Sequence, residues 1–162
     1  MKAMFDRRGY LTPPRPIDCT LEFIEDNFVD GIPDLAHRRN LFNGYLSFLD
    51  NLEKAVNAPF EQWVNGSFIS KKLVPRDIDV VTFIDYKIVS ANPNIFKNLS
   101  GESALLNYTV DSNIVKVYPE NHKHHIFTKS DRLYWYHLFT HTARDSRGKR
   151  HQKGFIKIIF QP

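Results

Sequence analysis

The chain has 162 residues, of which 42% are hydrophobic and 25% charged; these values are typical of a single globular domain over 1–162 and exclude a fully disordered chain. No apolar run approaches the ~18 residues of a membrane helix, the first residues lack the apolar core of a signal peptide, and the lone Cys19 cannot form an internal disulfide, so we expect a cytoplasmic protein. The net charge of +4 is a weak indication of a polyanionic partner, because the distribution of charge matters more than its sum.

The N-terminal part is predicted to be an extended arm followed by a short helix. The arm covers 1–18 and is rich in proline from residue 9 onward. Three prolines within four positions forbid a helix there and favour an extended path over the surface. Thr20 can cap a short helix that carries apolar residues as far as Phe28 and ends near Pro33.

A second, longer helix is predicted to open at Asp34. Its apolar positions recur at three- and four-residue steps as far as Val56, which is the pattern of an amphipathic core helix. His37, Arg38 and Arg39 fall on or beside its polar face. We expect these three side chains to be solvated.

The remainder of the chain predicts strands mixed with helices. Short strands and helices in this order favour an α/β (α+β) domain with a small mixed sheet flanked by helices. The predicted elements are a strand at 62–64, a buried strand at 78–84, helical or irregular structure at 86–110, a strand at 113–118, a helix over 131–141 capped by Ser130, and a last strand at 154–160.

Two motifs carry chemical information: Gly66-Ser67 after a predicted strand, and Asp77 and Asp79 at the start of the next one. A glycine lets the backbone turn tightly and approach an anion, and the amide and hydroxyl of Ser67 can both donate to a phosphate oxygen. Acids at alternate positions of a strand point to one face and can share Mg²⁺, which takes its other ligands from phosphates and water. Together the motifs predict a site for nucleotidyl transfer.

Basic residues in the intervening segment can neutralise phosphate charge. Lys71, Lys72 and Arg76 are therefore expected to help bind a nucleoside triphosphate. Each motif also has an ordinary structural explanation, since Gly-Ser is a common turn and one aspartate can cap a strand or pair with Arg76. The ordered combination is what favours a functional site.

The same residues resemble the signature of the polymerase-beta-like nucleotidyltransferase superfamily, and the chain is similar to a small bacterial group of nucleotidyltransferase-like proteins. The resemblance implies a mixed sheet flanked by helices, Mg²⁺ held by Asp77 and Asp79, and a nucleoside triphosphate whose phosphates meet the Gly-Ser turn. It extends over most of the chain, at Phe5-Asp6, Tyr10-Leu11, Pro13-Pro14, Thr20, Glu22-Phe23, His37-Arg38-Arg39, Leu41, Gly44, Gly66-Ser67, Asp77-Ile78-Asp79, Arg144-Asp145, Gly148 and Lys153-Gly154-Phe155-Ile156.

The third acidic position is where this chain departs from the superfamily. Active members carry a third carboxylate on a neighbouring strand, and the middle of the predicted strand 113–118 holds Lys116 instead. Its ammonium would either neutralise the aspartate pair and displace a metal, or bind a phosphate of the nucleotide. Asp111 can supply the acid if the strand begins earlier. The sequence leaves these alternatives open.

Histidines and a basic run give weaker indications. The histidines at 122, 124 and 125 are expected in a solvated loop, and His137 and His141 among packed aromatic residues, because neither group completes a metal motif. The run 144–153 holds five Lys or Arg residues and one acid. It fits either a solvated turn or a contact with phosphates.

The function predicted from these patterns is Mg²⁺-dependent transfer of a nucleoside monophosphate to an acceptor, which could be an RNA or a protein. Asp77, Asp79 and Asp111 would be the catalytic carboxylates, and Gly66, Ser67, Lys71, Arg76 and Lys116 would bind the nucleotide. One alternative is a catalytically degenerate fold that senses nucleotides or binds a partner, of toxin–antitoxin or phage-defence type. Another is a nucleic-acid-binding module that uses the basic run.

Overall fold

The N-terminal arm is extended, as its prolines predict, and it adds an edge strand to the central sheet. In the computed structural model, which describes residues 2–32 and 35–161, strands β1 (Met4–Phe5) and β2 (Leu11–Thr12) form an antiparallel pair. Strand β3 (Pro16–Asp18) pairs in parallel with the last strand, β7 (Phe155–Phe160). The arm is thereby attached to the body of the protein.

Helix α1 (Leu21–Ile24) begins where the sequence predicts. The hydroxyl of Thr20 accepts a hydrogen bond from the amide of Phe23 at 3.3 Å, which confirms the predicted cap. The chain then continues as a π-helical turn, Glu25–Val29, whose Phe28 and Val29 are buried.

Helix α2 (Leu35–Val56) is the long amphipathic helix that the periodicity predicts. Pro33 and Asp34, where we placed the end of one helix and the start of the next, lie outside the described residues. The expectation that Arg38 is solvated is wrong, because its side chain is completely buried. Arg39 is half-buried and forms ion pairs with two acids of the preceding turn.

The remaining elements confirm the predicted order and correct two boundaries. Strand β6 (Val110–Val117) begins three residues earlier than predicted, because its polar residues obscure the alternation that pairing with β5 (Ile78–Asp85) imposes. Helix α6 (His125–Phe139) begins at the last of the three histidines we assigned to a loop, and near its start the buried Thr128 hydroxyl accepts from the Tyr118 amide at 2.8 Å. The elements are β4 (Phe60–Asn65), β5 (Ile78–Asp85), α3 (Tyr86–Ala91), α4 (Pro93–Asn98), α5 (Gly101–Tyr108), β6 (Val110–Val117) and α6 (His125–Phe139).

The central sheet has five strands in the order β3-β7-β4-β5-β6. Strand β4 is antiparallel to both of its neighbours, whereas β5 and β6 are parallel and are joined by a crossover through α3, α4 and α5. This confirms the predicted α/β (α+β) class with a small mixed sheet. Within the described ranges, none of the helices combines the length and apolar character that crossing a bilayer requires.

The two faces of the sheet are covered by different helices. The Tyr45 hydroxyl of α2 donates to Gln62 of β4 at 2.5 Å, and Arg132 of α6 pairs with Glu61 at 3.0 Å. Since successive residues of a strand point to opposite faces, Gln62 faces α2, whereas Glu61 and Asn65 face α6. This alternation decides which side chains reach the site described next.

Candidate functional site

A cleft of about 790 Å³ opens on the α6 face of the sheet, beside the end of that helix. Its floor is polar, because Asn65, Asp79 and Asp111 occupy one register level of three neighbouring strands. Its wall is apolar and includes Trp135 and Leu138 of α6. The cleft therefore combines acidic groups with a surface suited to a flat or apolar group.

The three predicted acids lie close enough to repel one another, although only Asp79 and Asp111 line the cleft. Burial raises the pKa of Asp79 to about 6, and the neighbouring charges of Asp77 and Asp111 add to the effect. The pKa of Asp111 is also raised, by desolvation and then by Asp77. Asp77 lies just before β5 rather than within it, yet it acts electrostatically on both other acids. Three carboxylates in mutual repulsion favour the binding of a cation.

The glycine of the first motif is required for two physical reasons. Gly66 has a φ of +83°, a conformation that side-chain-bearing residues rarely adopt. In addition, a Cβ at this position would lie 1.7 Å from Oδ2 of Asp79. The carboxylate of the second motif therefore packs directly against the backbone of the first. The structure brings the two motifs into contact.

The turn that follows Gly66 presents amide groups. The Ser67 carbonyl accepts from the amide of Ser70 at 3.2 Å and from its hydroxyl at 2.7 Å. The amides of Ser67, Phe68 and Ile69, by contrast, have no hydrogen-bond acceptor in the part of the chain that the structure describes. Successive amides that lack an acceptor can form an anion-binding concavity.

A buried arginine that sequence reasoning missed holds this turn in place. The guanidinium of Arg38 donates to the carbonyls of Phe28 and Phe68 at 2.7 Å each, to that of Ser70 at 3.0 Å, and to that of Lys72. It thereby ties α2, the π-helical turn and the segment after Gly66 together. Because carbonyls are drawn toward Arg38, the segment has one fixed conformation.

The spacing in α2 contained the evidence for this buried position. Arg38 lies three, four and seven residues before Leu41, Phe42 and Tyr45, all of which are buried, and residues at these spacings share one face of a helix. His37, the residue before Arg38, also contacts the segment that follows Gly66, since its Nε2 lies 2.5 Å from the Pro75 carbonyl oxygen. The positive charge of Arg38 was the reason that its side chain was expected to be exposed to solvent.

Lys153 is a second residue of the site that the sequence did not single out. It lines the cleft two residues before the start of β7, and its backbone amide donates to the Thr140 carbonyl at 2.9 Å. Burial lowers the pKa of Lys153 to about 8, while the charge of Asp79 opposes that shift. In the sequence, Lys153 was the last cation of a basic run and one of the residues of the resemblance, and neither observation gave it a role at the site. Its place two residues before a buried strand was the available indication.

Comparison with known proteins gives a family but no activity. The model of a family described as "Family of unknown function (DUF6932)" matches residues 3–159. The chain belongs to this family. No curated protein and no solved structure matches it. The chemistry of this DUF6932 member must therefore be argued from its own residues.

Of the four basic residues predicted to bind the nucleotide in this DUF6932 protein, two line the cleft and two lie outside it. Lys71 lines the cleft together with Lys72. Arg76 is exposed and is not among the residues that line the cleft. Lys116 lies in register with Ile84, five residues beyond Asp111, or roughly 16 Å along the strand.

The strand register distinguishes the two candidates that the sequence left open for the third acidic position. Asp111 lies opposite Asp79 in the parallel pair of β5 and β6, whereas Lys116 does not. Lys116 instead donates to the Ser90 hydroxyl at 3.0 Å, away from the cleft. The early start of β6 is the physical reason, since it moves the register by three residues.

The histidines are ordered by ring stacking. His122 is half-buried, with its ring 4.9 Å from Tyr118 and 4.8 Å from Tyr86, so the expectation of a solvated loop is wrong for it. His137 and His141 lie with ring centroids 4.8 Å apart, and His141 lines the cleft.

The donor atoms in the cleft suit a hard cation. Asp79 and Asp111 line the cleft and offer carboxylate oxygens, which Mg²⁺ prefers, whereas Asp77 is not among the lining residues. Asn65 is 6% exposed and lines the cleft, and its Oδ1 is buried without a hydrogen-bond partner in residues 2–32 and 35–161. Among those residues, no group of three or more His, Cys, Asp or Glu is placed so that it could hold a metal ion. An ion in the cleft would therefore depend on further ligands from substrate phosphates and water.

Proposed function

We propose that the cleft binds a nucleoside triphosphate with Mg²⁺ and transfers its nucleoside monophosphate to an acceptor hydroxyl, as a nucleotidyltransferase-like enzyme. The observation that carries this proposal is the contact between Gly66 and the Asp79 carboxylate. It places amides suited to phosphate oxygens beside three mutually repelling acids. Phosphate and metal would therefore meet at one point, as phosphoryl transfer requires.

The reaction is an in-line displacement at the α-phosphorus. A bond forms between the acceptor oxygen and the α-phosphorus while the bond from that phosphorus to the bridging oxygen breaks, and pyrophosphate leaves. Mg²⁺, when bound, supplies charge neutralisation at the phosphates. Asp77 and Asp79 would hold the ion, and Asp111, which is exposed at the cleft, accepts the proton of the acceptor hydroxyl.

The remaining residues of the cleft bind the triphosphate and the base. The Ser67 amide and hydroxyl donate to phosphate oxygens, and Lys71, Lys72 and Lys153, which also line the cleft, neutralise phosphate charge. Trp135 of the apolar wall provides a face for the base.

The degenerate alternative loses its main argument in this arrangement. It depended on a lysine in the third acidic position, whereas Asp111 stands opposite Asp79 and Lys116 binds Ser90. A nucleotide sensor could use the same carboxylates to bind Mg²⁺ with its nucleotide, so release of pyrophosphate is the measurement that distinguishes it from a transferase. Because the lysine does not face Asp79, the transferase is the function we favour.

Trp135 provides a direct test of nucleotide binding. Each nucleoside triphosphate is titrated into the protein with Mg²⁺ and with excess chelator, and tryptophan fluorescence is followed. We expect saturable quenching that requires Mg²⁺ and disappears in Asp77→Ala/Asp79→Ala. Trp135→Phe should remove most of the signal, because the other tryptophan, Trp63, is buried in the core.

Asp85→Ala is the matched control for the aspartate variant. Asp85 ends the same strand, β5, and is exposed, where it accepts from the Lys87 amide at 2.7 Å as a helix cap. Its loss should leave quenching unchanged. Release of pyrophosphate in the presence of acceptor candidates then tests transfer. Quenching that ignores both the chelator and the loss of Asp77 and Asp79, or no quenching by any nucleotide, would overturn the proposed function.

A further inference from the structure

Positive charge extends from the cleft onto the turn that precedes β7. Five cationic side chains line the cleft beside the carboxylates of Asp79 and Asp111, namely Arg8, Lys71, Lys72, Arg150 and Lys153. Three more cations, Arg144, Arg147 and Lys149, lie exposed in the adjoining turn. We call these eight residues the basic band. It extends farther than the binding of one triphosphate requires.

The acid within this turn maintains its shape and does not neutralise the exposed cations. Asp145 accepts from the backbone amides of Arg147 and Lys149 at 2.9 and 2.8 Å, and its Oδ2 lies 3.1 Å from Nε2 of His151. These contacts, that from the Lys149 amide above all, lower the pKa of Asp145. The carboxylate is therefore ionised and fully engaged in holding the turn.

The exposed cations of the turn remain available to a ligand. The Arg144 guanidinium donates to the Gly148 carbonyl at 2.8 Å, which is a bond to a neutral group. Within residues 2–32 and 35–161, none of Arg144, Arg147 and Lys149 forms an ion pair with an acid. Adjacent like charges held without counter-ions favour a polyanion at this surface.

We infer that the acceptor is a single-stranded nucleic acid, whose phosphates follow the basic band from the turn into the cleft. This inference rests on the proposed function, because it places the terminal hydroxyl of the strand at Asp111. A strand fits better than a duplex, since the cleft has the volume of a small-ligand site. Trp135 and Leu138 form an apolar wall against which a base can stack, a feature that an acidic peptide would not use.

Fluorescence anisotropy with a labelled single-stranded RNA of about 12 nucleotides, and with its DNA counterpart, tests the inference. The chelator is present and nucleotide is absent, so that strand binding is measured alone. Each phosphate contact to a single strand adds about 0.7 to the slope of log affinity against log salt. Loss of three contacts in Arg144→Ala/Arg147→Ala/Lys149→Ala should lower that slope by about 2 and weaken binding more than tenfold near 0.1 M salt.

The matched control is Lys87→Ala/Lys97→Ala/Lys123→Ala, which removes the same charge from three exposed lysines outside the cleft and the turn. It should leave both the affinity and the slope unchanged. Equal losses in the two triple variants would overturn the inference, as would the absence of strand binding. Binding of a polyglutamate peptide as tight as that of RNA would also overturn it, because a general polyanion site would then suffice.

The two proposals fail in distinguishable ways. Asp77→Ala/Asp79→Ala should retain strand binding in chelator while it loses Mg²⁺-dependent quenching of Trp135. Nucleotide binding without strand binding would leave the transferase in place and refute the nucleic-acid acceptor. Strand binding without any nucleotide binding would refute the transferase, and with it the inference that the bound strand is an acceptor.

Discussion

Gln62 and Asn65 are buried amides of the same strand, three residues apart, and they differ in how their hydrogen bonds are satisfied. On the α2 face, Gln62 accepts from the Tyr45 hydroxyl at 2.5 Å and donates to the Thr82 hydroxyl at 2.8 Å. On the α6 face, Asn65 has a buried Oδ1 without a partner in the part of the chain that the structure describes. The hydrogen bonds of Gln62 are therefore satisfied within the fold, whereas Oδ1 of Asn65 can still accept a hydrogen bond from a ligand.

This difference separates structural polar groups from functional ones. A buried polar group that is fully bonded stabilises one conformation, and an unbonded one costs stability until a ligand supplies its partner. Asn65 lies at the register level of Asp79 and Asp111, so the cost is concentrated in the cleft. The Ser112 hydroxyl is also buried without a partner, but it points to the α2 face and does not line the cleft.

The largest expected effect concerns Arg38, the most heavily bonded polar group of the buried set. Arg38→Met would leave four carbonyls without their donor, and we expect the free energy of unfolding to fall by about 3–5 kcal/mol. Urea denaturation measures the loss. Arg39→Met is the control, since the solvent-accessible ion pairs of Arg39 with Glu25 and Asp30 should contribute far less to stability than the buried bonds of Arg38. Equal losses for the two arginines would contradict the conclusion that the hydrogen bonds of Arg38 hold the turn after Gly66 in place.

A smaller effect of opposite sign is expected at Asp79. Its pKa is raised from 3.8 to about 6, so ionisation of this carboxyl opposes folding above pH 6. Asp79→Asn should therefore stabilise the protein by roughly 1–3 kcal/mol near pH 7.5. The gain should shrink as the pH falls from 6 toward 4, where the folded wild type holds the proton. Thermal unfolding across this pH range measures it.

The same carboxyl governs the pH dependence of ligand binding. Mg²⁺-dependent nucleotide quenching in the wild type should weaken as the pH falls through about 6, because a protonated Asp79 cannot hold the ion.

Asp85→Asn is the control for the stability gain expected of Asp79→Asn, since asparagine caps a helix as well as aspartate does and Asp85 is exposed. A gain in stability from Asp85→Asn equal to that from Asp79→Asn would show that the effect is unrelated to the cleft.

The smallest expected effects on stability come from substitutions at or beside the two buried amides, Gln62 and Asn65. Tyr45→Phe removes one bond of the satisfied network and should cost about 1 kcal/mol in stability while leaving nucleotide binding unchanged. Asn65→Leu removes an unsatisfied group of similar size and should change stability by less than about 1 kcal/mol, yet weaken nucleotide binding about tenfold or more. Denaturation and Trp135 quenching separate the two outcomes. The comparison fails if Tyr45→Phe impairs binding as much as Asn65→Leu does.

Much of the fold was predictable because hydrophobic periodicity specifies where its helices and strands lie. The apolar steps of α2, the buried run of β5 and the prolines of the arm each express a local requirement of the backbone. The boundaries of β6 and α6 were not predictable, since Asp111 and His125 are polar residues in regular structure. Pairing with a neighbouring strand, or a bond such as that from the Tyr118 amide to Thr128, determines those boundaries.

For the candidate site, the residue types can be read from the sequence: a glycine that can take a positive φ at Gly66, and acids at Asp77 and Asp79 with alternate spacing. That Asp111 rather than Lys116 faces Asp79, and that Arg38 and Lys153 belong to the site, depends on the folded arrangement of the chain. The physical reason is that local propensities act over a few residues. Strand register, burial and electrostatic repulsion depend on groups that are distant along the chain and meet only when it folds.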